Sequence, residues 1–232
     1  KYIKRVIFNS YMSEDAMKRI PENILEYVNN QKIKKLRPSQ EKSILKGLFE
    51  NNKNQVVCSP TASGKTLVAE LGMLHCILNK RKRVVYIVPL KALASEKFKE
   101  FRGLYGDRIK VRLSVGELQT EKYNYDYDLL IVTAEKLDSL IRHDRAILDN
   151  LGLVIADEIH LLNDEKRGPT LEVLLSIFKS KYPKIRIIGL SATIGNASEI
   201  AKWLRADLIE DKWRPVELHQ YILHGDEMHR YK

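Results

Sequence analysis

The chain has 232 residues, 44% hydrophobic and 30% charged, with a formal net charge of +10. That is enough chain for one large α/β domain or two small ones with a sizeable core, and the composition is that of an ordinary soluble globular protein. It argues against a repeat protein, a low-complexity segment or a membrane span, since the longest apolar runs, such as Val84 to Val88, are far too short to cross a bilayer, while the basic excess favours a polyanionic partner.

Residues 1–36 read as an extension with helical lead-in. Lys1 to Phe8 alternates loosely, as a strand or an extended leader would. Ser13 suits the N-cap of a short helix over Glu14 to Ile20, and Pro21 the first position of a helix carrying Ile24, Leu25 and Val28. Leu36-Arg37-Pro38-Ser39-Gln40 opens another helix, with Ile44, Leu45, Leu48 and Phe49 on its apolar face and Gln40 exposed by pattern. Next comes QVVCSPTASGKT, Gln55 to Thr66. Val56, Val57 and Cys58 form a short buried strand, and Leu67, Leu71, Leu74 and Leu78 recur at helical spacing after Gly64-Lys65-Thr66. Strand, tight loop, then Gly-Lys-Thr at a helix start is the context of a phosphate-binding P-loop. The loop amides and the positive end of the helix dipole converge on one spot. Lys65 brings a full charge to the β- and γ-phosphates, and the Thr66 hydroxyl suits a Mg²⁺ ion. The first loop position, usually Gly, is Ser59. A solvated Gly-Lys-Thr turn is the alternative.

A regular alternation follows. Strands are expected at Arg83–Val88, Ile109–Leu113, Asp128–Val132, Leu153–Ala156 and Ile185–Leu190. Helices are expected from Leu90 to Phe101 with Leu93, Ala94, Phe98 and Phe101 inward, from Thr133 with Leu137, Leu140 and Ile141, from Gly168 to about Lys179, and from Asn196 to Leu204. Lys80 to Arg83 reads as a solvated helix-to-strand turn. Cys58 and Cys76 read as core thiols of a reducing compartment, not as a disulfide or metal pair. His219, His224 and His229 fall in an irregular tail and read as exposed. Short continuous apolar strands alternating with helices define an α/β fold, a mainly parallel sheet with helices on both faces. Ligands of such sheets bind beyond the carboxyl ends of the strands, which is where SPTASGKT, SVG, TAEK, DEIH and SAT all fall.

Hydrolysis of a nucleoside triphosphate needs charge neutralisation, a metal and an oriented water. Asp157, at the end of an apolar strand, is placed to hold Mg²⁺ directly or through water, and Glu158 to polarise the attacking water. A solvated strand end is the alternative for this pair taken alone; an upstream P-loop argues against it. His160 has no second His or Cys at ligand spacing and reads as a hydrogen-bonding residue across the cleft.

The ordered set SPTASGKT, PLKALA, TAEKLDSL, DEIH and SAT resembles the first motor domain of superfamily-two helicases of the DExH group. RGPTLE at Arg167–Glu172 and WRPVEL at Trp213–Leu218 are similar to the Ski-like branch, closest to the archaeal Hjm-type DNA repair helicases. The resemblance runs from about Leu36 to Leu218 and implies a RecA-like P-loop NTPase domain over residues 37–212. Residues 213–232 would then begin a connection to a second RecA-like domain, in the same or a partner chain. It implies ATP and Mg²⁺ as cofactors. Gln40 would read adenine; Ser59, Pro60, Thr61, Ala62, Ser63, Gly64, Lys65 and Thr66 would cradle the phosphates; Thr66 and Asp157 would hold Mg²⁺; and Glu158 would be the base, with Lys65 and Asp157 assisting. His160, Ser191 and Thr193 would couple nucleotide state to domain movement. Pro89, Leu90 and Lys91, Ser114 and Gly116, and Thr133 and Glu135 match segments that touch a nucleic-acid backbone, with Arg167 near them; Thr133 is also a good N-cap, and Ser191 and Thr193 simple strand-end caps. The partner implied is single-stranded or branched DNA, with RNA as the runner-up and no membrane, in a cytoplasmic or otherwise intracellular, archaeal setting. No Q-x-x-G-R-x-G-R-like segment supplies arginine fingers, so weak ATP binding, slow hydrolysis and no unwinding are expected of this stretch alone. A non-catalytic nucleotide-binding module is the reading from another class, and Lys65, Asp157 and Glu158 argue against it.

Overall fold

The structure is a computed structural model, described over residues 14–30, 33, 35–116, 126–216, 220–224 and 227–231. Seven parallel strands form its centre: β1 (Asn54–Cys58), β2 (Arg83–Val88), β3 (Val111–Ser114), β4 (Leu129–Thr133), β5 (Leu151–Ala156), β6 (Arg186–Ser191) and β7 (Ala206–Glu210). They lie in the order β3-β4-β2-β5-β6-β1-β7. The inner strands are largely apolar because both faces are covered, with polar residues confined mostly to their ends. In β2, Val84, Tyr86 and Val88 point to one core, and Val85 and Ile87 to the other, as the two-residue period of a strand requires.

On the first face lie α1 (Glu14–Arg19), α2 (Glu22–Asn30), α3 (Pro38–Leu45), α4 (Lys65–Leu74) and α5 (Lys91–Tyr105). On the second lie α6 (Ala134–His143), α7 (Gly168–Lys181) and α8 (Ala197–Leu204). Ala16, Ile20, Ile24, Tyr27, Val28 and Leu36 are buried in the same cluster as Leu71, Tyr86 and Phe101, so the helices before residue 36 belong to the main core. Arg186, buried at the start of β6, donates through Nε to the Lys53 carbonyl at 2.7 Å and through Nη1 to the Leu48 carbonyl, which fixes the approach to β1.

Several expectations are corrected. Gln40 is buried, not exposed, because its amide bonds backbone on either side. Leu45 is 37% exposed and Leu93 36%, so neither faces the core; Leu93 sits in the first turn of α5, whose first three residues are all exposed. Leu48 and Phe49 are buried in the turns after α3 instead of on it. The run through Leu78 is not one α-helix: α4 ends at Leu74 and continues as a π-helical segment, His75–Asn79. The tail is not irregular, for β8 (Gln220–His224) and β9 (Glu227–Tyr231) pair as an antiparallel hairpin. Strand β7 was not anticipated at all; only one of its five residues is buried, so ADLIE shows no apolar signal. Expectations about Lys1 to Phe8, Ser13, His219 and the side chains of His224 and His229 fall outside the described residues.

Candidate nucleotide site and carboxyl edge of the sheet

The sheet order distributes the candidate residues along one edge. At its β1, β6 and β5 stretch stand Ser59, Ser191 and Asp157; at its β2, β4 and β3 stretch stand Pro89, Thr133 and Ser114. Registers pair Cys58 with Ser191, and Val88 with Thr133, so each group is level along the edge.

The phosphate loop leaves β1 with Ser59 N donating to the Ser191 carbonyl at 3.2 Å, and its two serines close on each other, Ser59 Oγ to Ser63 Oγ at 2.7 Å. Ser59 thus supplies a buried hydroxyl bond where a glycine would supply only backbone. Two residues have positive φ, Ala62 at 63° and Gly64 at 88°. At Gly64 a side chain is barred twice over, since a Cβ would also lie 2.5 Å from Gln40 Nε2. Lys65 begins α4 and folds back, Nζ donating to the Ser59 carbonyl at 2.8 Å and the Pro60 carbonyl at 3.1 Å. Burial lowers its pKa, against the pull of Glu158 and Asp157. Thr61 and Ala62 are exposed, while Thr66 is half-buried on a cavity of about 500 Å³ shared with Tyr27, Arg37, Gln40, Gly64 and Glu70. Gln40 Nε2 donates to the Gly64 carbonyl at 2.8 Å, and Arg37 N donates to Gln40 Oε1 at 2.7 Å. The glutamine therefore braces the loop besides lining the cavity.

Asp157 follows β5. Its Oδ2 accepts from Tyr86 Oη at 3.1 Å and its Oδ1 from Glu158 N at 3.0 Å. Burial raises its pKa, and these two bonds pull it back. Glu158 itself sits at φ 50°, ψ 46°, left-handed backbone rare for a non-glycine residue. That turn stops β5 and starts the 3₁₀ segment Ile159–Asn163, placing His160 Nδ1 3.3 Å from Glu158 Oε2 without hydrogen-bond alignment. Ser191 is buried, with its hydroxyl on the Ala192 carbonyl at 2.8 Å, while Thr193 is exposed.

Among the described residues, no group of three or more His, Cys, Asp or Glu side chains could hold a metal. A magnesium ion carried by a triphosphate needs less, one or two carboxylates with substrate and water oxygens completing its shell. The Asp157 carboxylate and the Thr66 hydroxyl have the chemistry for that.

Toward the other stretch of the edge, Pro89, Glu135, Asp157 and Arg167 line one small cavity. Leu90 and Lys91 are exposed at the start of α5, and Gly116 is exposed at φ 88° after β3. Thr133 differs: it is buried, and Oγ1 accepts from Lys136 N at 3.4 Å as the N-cap of α6. Sequence reasoning missed Tyr86 and Arg37. A tyrosine inside the apolar run VVYIV was a usable signal, since a buried hydroxyl seeks a partner; Arg37 gave none.

A Gly-Lys-Thr loop between a strand and a helix, with an acidic pair at the end of the next strand but one, defines a P-loop nucleoside-triphosphatase fold. The DEAD/DEAH box helicase family matches residues 37–200, and the chain belongs to that family. It is 47% identical over 212 residues to an ATP-dependent DNA helicase Hel308 of Methanococcus vannielii, covering 89% of this chain and 28% of that protein. Hel308 of Methanocaldococcus jannaschii is 48% identical over 207 residues, 87% of this chain and 17% of that protein. Hel308 of Pyrococcus horikoshii is 41% identical, over 89% of this chain and 28% of that protein. The chain thus spans under a third of the length of these relatives. No helix among the described residues is long and apolar enough to cross a membrane.

Proposed function

We propose that this chain is the ATP-binding motor domain, residues 37–212, of an ATP-dependent DNA helicase, which needs a second RecA-like domain, in the same or a partner chain, to unwind. The observation that carries the reading is the convergence of the P-loop and the Asp157–Glu158 pair on one stretch of a single sheet edge. In it, Ser59 to Thr66 cradle the phosphates, Lys65 neutralises charge, and Thr66 and Asp157 hold Mg²⁺. Bound Mg²⁺ would neutralise phosphate charge and orient the terminal phosphate. Glu158 takes the proton from the attacking water. Gln40 faces the base, and His160, Ser191 and Thr193 relay the state of the site. Pro89, Leu90, Lys91, Ser114, Gly116, Thr133 and Glu135 form the backbone-binding stretch for single-stranded or branched DNA, with movement 3′ to 5′. Lys91, exposed at the N-terminus of α5, supports phosphate binding there. The names of the relatives favour DNA over RNA.

Binding of a fluorescent ATP analogue with Mg²⁺ tests the first half of this, and single-stranded DNA and RNA titrated across a salt series test the second. Lys65→Ala should abolish analogue binding, and Lys91→Ala should lower the logarithmic salt slope for DNA by about one. Nucleotide binding that survives Lys65→Ala overturns the reading.

A further inference from the structure

Arg37, which precedes α3, holds three partners at once. Its backbone N–H donates to Gln40 Oε1 at 2.7 Å, its Nη1 to the Ala62 carbonyl of the phosphate loop, and its guanidinium lies over the Trp213 ring, 5.6 Å from the centroid. Trp213 lies in the segment that leaves β7, and that segment is fastened along the same side of the molecule. Asp211 N donates to the Cys58 carbonyl at 3.1 Å, at the end of the strand that feeds the loop. Lys42 on α3 donates to Asp211 Oδ2 at 2.6 Å and to the Glu210 carbonyl at 3.0 Å, and Asp211 Oδ1 accepts from Trp213 N at 2.7 Å. Trp213 is nonetheless 41% exposed, with the guanidinium over its ring.

The loop residue that Arg37 grips is the strained one. Ala62 sits at φ 63°, and its neighbours Ser59 and Pro60 offer their carbonyls to Lys65. Lys65 spends two of its three ammonium N–H groups on those carbonyls, so drawing it toward a phosphate pulls on both bonds. Where they are given up, the loop between Pro60 and Gly64 loses that tether and the Ala62 carbonyl is free to move. Trp213 stands one side chain away from that carbonyl. We propose that Arg37 is a positioning residue that ties filling of the phosphate loop to the placement of Trp213, so that the segment after β7 registers nucleotide binding. This rests on the nucleotide site proposed above.

Tryptophan emission offers a direct test. The chain has two tryptophans, and Trp203→Phe leaves Trp213 as the single reporter. With Mg²⁺ and a β,γ-imido ATP analogue, emission of this variant should change in step with binding measured independently by calorimetry. Adding Arg37→Lys, which retains charge without the flat fork that stacks and bonds together, should leave binding measurable and remove most of the emission change. The contact is present while Lys65 is folded back onto the loop, so it favours the unfilled state, and by reciprocity Trp213→Ala should strengthen analogue binding about two- to five-fold, the range for a cation–π contact at an exposed site. Lys65→Ala distinguishes the two levels. If calorimetry shows no binding in any variant, or binding that survives Lys65→Ala, the nucleotide site itself is wrong. If binding is normal while Trp213 emission stays flat and Trp213→Ala binds as tightly as the parent, the coupling is overturned.

Discussion

Tyr86 Oη donates a 3.1 Å hydrogen bond to Asp157 Oδ2 from a ring that is fully buried in the neighbouring strand. The tyrosine packs edge-on against Phe101, 5.5 Å between centroids, so its position is set by the core and not by the site. An acidic side chain at a strand end would otherwise swing into solvent. Here the core reaches out and holds one of its two oxygens, while Glu158 N holds the other.

Tyr86→Phe should therefore weaken Mg²⁺-dependent nucleotide binding about ten-fold, the low end for loss of a partner behind a metal ligand. The phenol bond is one of the two that pull the Asp157 pKa down against burial. Its loss should move the acid limb of nucleotide binding to higher pH, because a carboxyl with a higher pKa stays protonated further up the scale. A titration of Mg²⁺ at several pH values measures both effects.

Glu158→Gln separates binding from chemistry. The amide retains the size of the side chain but takes no proton, so turnover should fall about 10²- to 10⁴-fold while nucleotide affinity stays near that of the parent. Product formation and analogue binding, measured side by side in a protein containing this chain, decide it. Unchanged turnover would remove Glu158 from the role of base.

Gly64→Ala combines left-handed backbone with a Cβ pressed against Gln40 Nε2 and within 3.1 Å of Arg37 Cδ. The backbone alone costs about 1–2 kcal/mol. The variant should melt earlier and lose most of its analogue binding, since relief of the clash displaces the glutamine that braces the loop.

The acid side of the stability curve has a nameable contributor. Burial, with Lys80 and Arg186 nearby, pushes the His75 pKa down to about 4. Above pH 6.5 the imidazole is neutral whether the chain is folded or not. As pH falls from 6.5 toward 4, the unfolded chain takes up a proton that the folded one refuses, so stability drops across that window. Glu70 and Asp157, whose pKa values are raised chiefly by burial, act with the opposite sign. Comparing melting temperature against pH for the parent and His75→Gln isolates the histidine: the parent should lose more between pH 6.5 and 4.5.

What was legible in the sequence was local. Strands such as LLIVT and LGLVIA are apolar throughout because both faces are covered, and the loop motif carries its own geometry in Gly64, Lys65 and Thr66. What was not legible depended on partners far along the chain. Gln40 looked exposed because its helix has polar neighbours; the Gly64 carbonyl 24 residues away buries it. Leu93 has the right spacing for the core but lies in the exposed first turn of α5. Strand β7 carries Asp and Glu and pairs at an edge, where alternation and apolar length both fade. Arg37 and Trp213 are 176 positions apart in sequence numbering, and no periodicity links them.

The order of the strands has a mechanical consequence. Ser59 and Pro89 follow strands separated by two others, β6 and β5, so three lateral steps divide them, about 14 Å at the usual spacing between neighbours. Backbone hydrogen bonds hold that interval as a ruler holds its marks. Within this unit the loop after β1 and the Pro89 stretch of the edge can neither approach nor separate. If the unit works as proposed above, the movement a triphosphate drives comes from a body that swings against the sheet, with the sheet serving as the fixed frame.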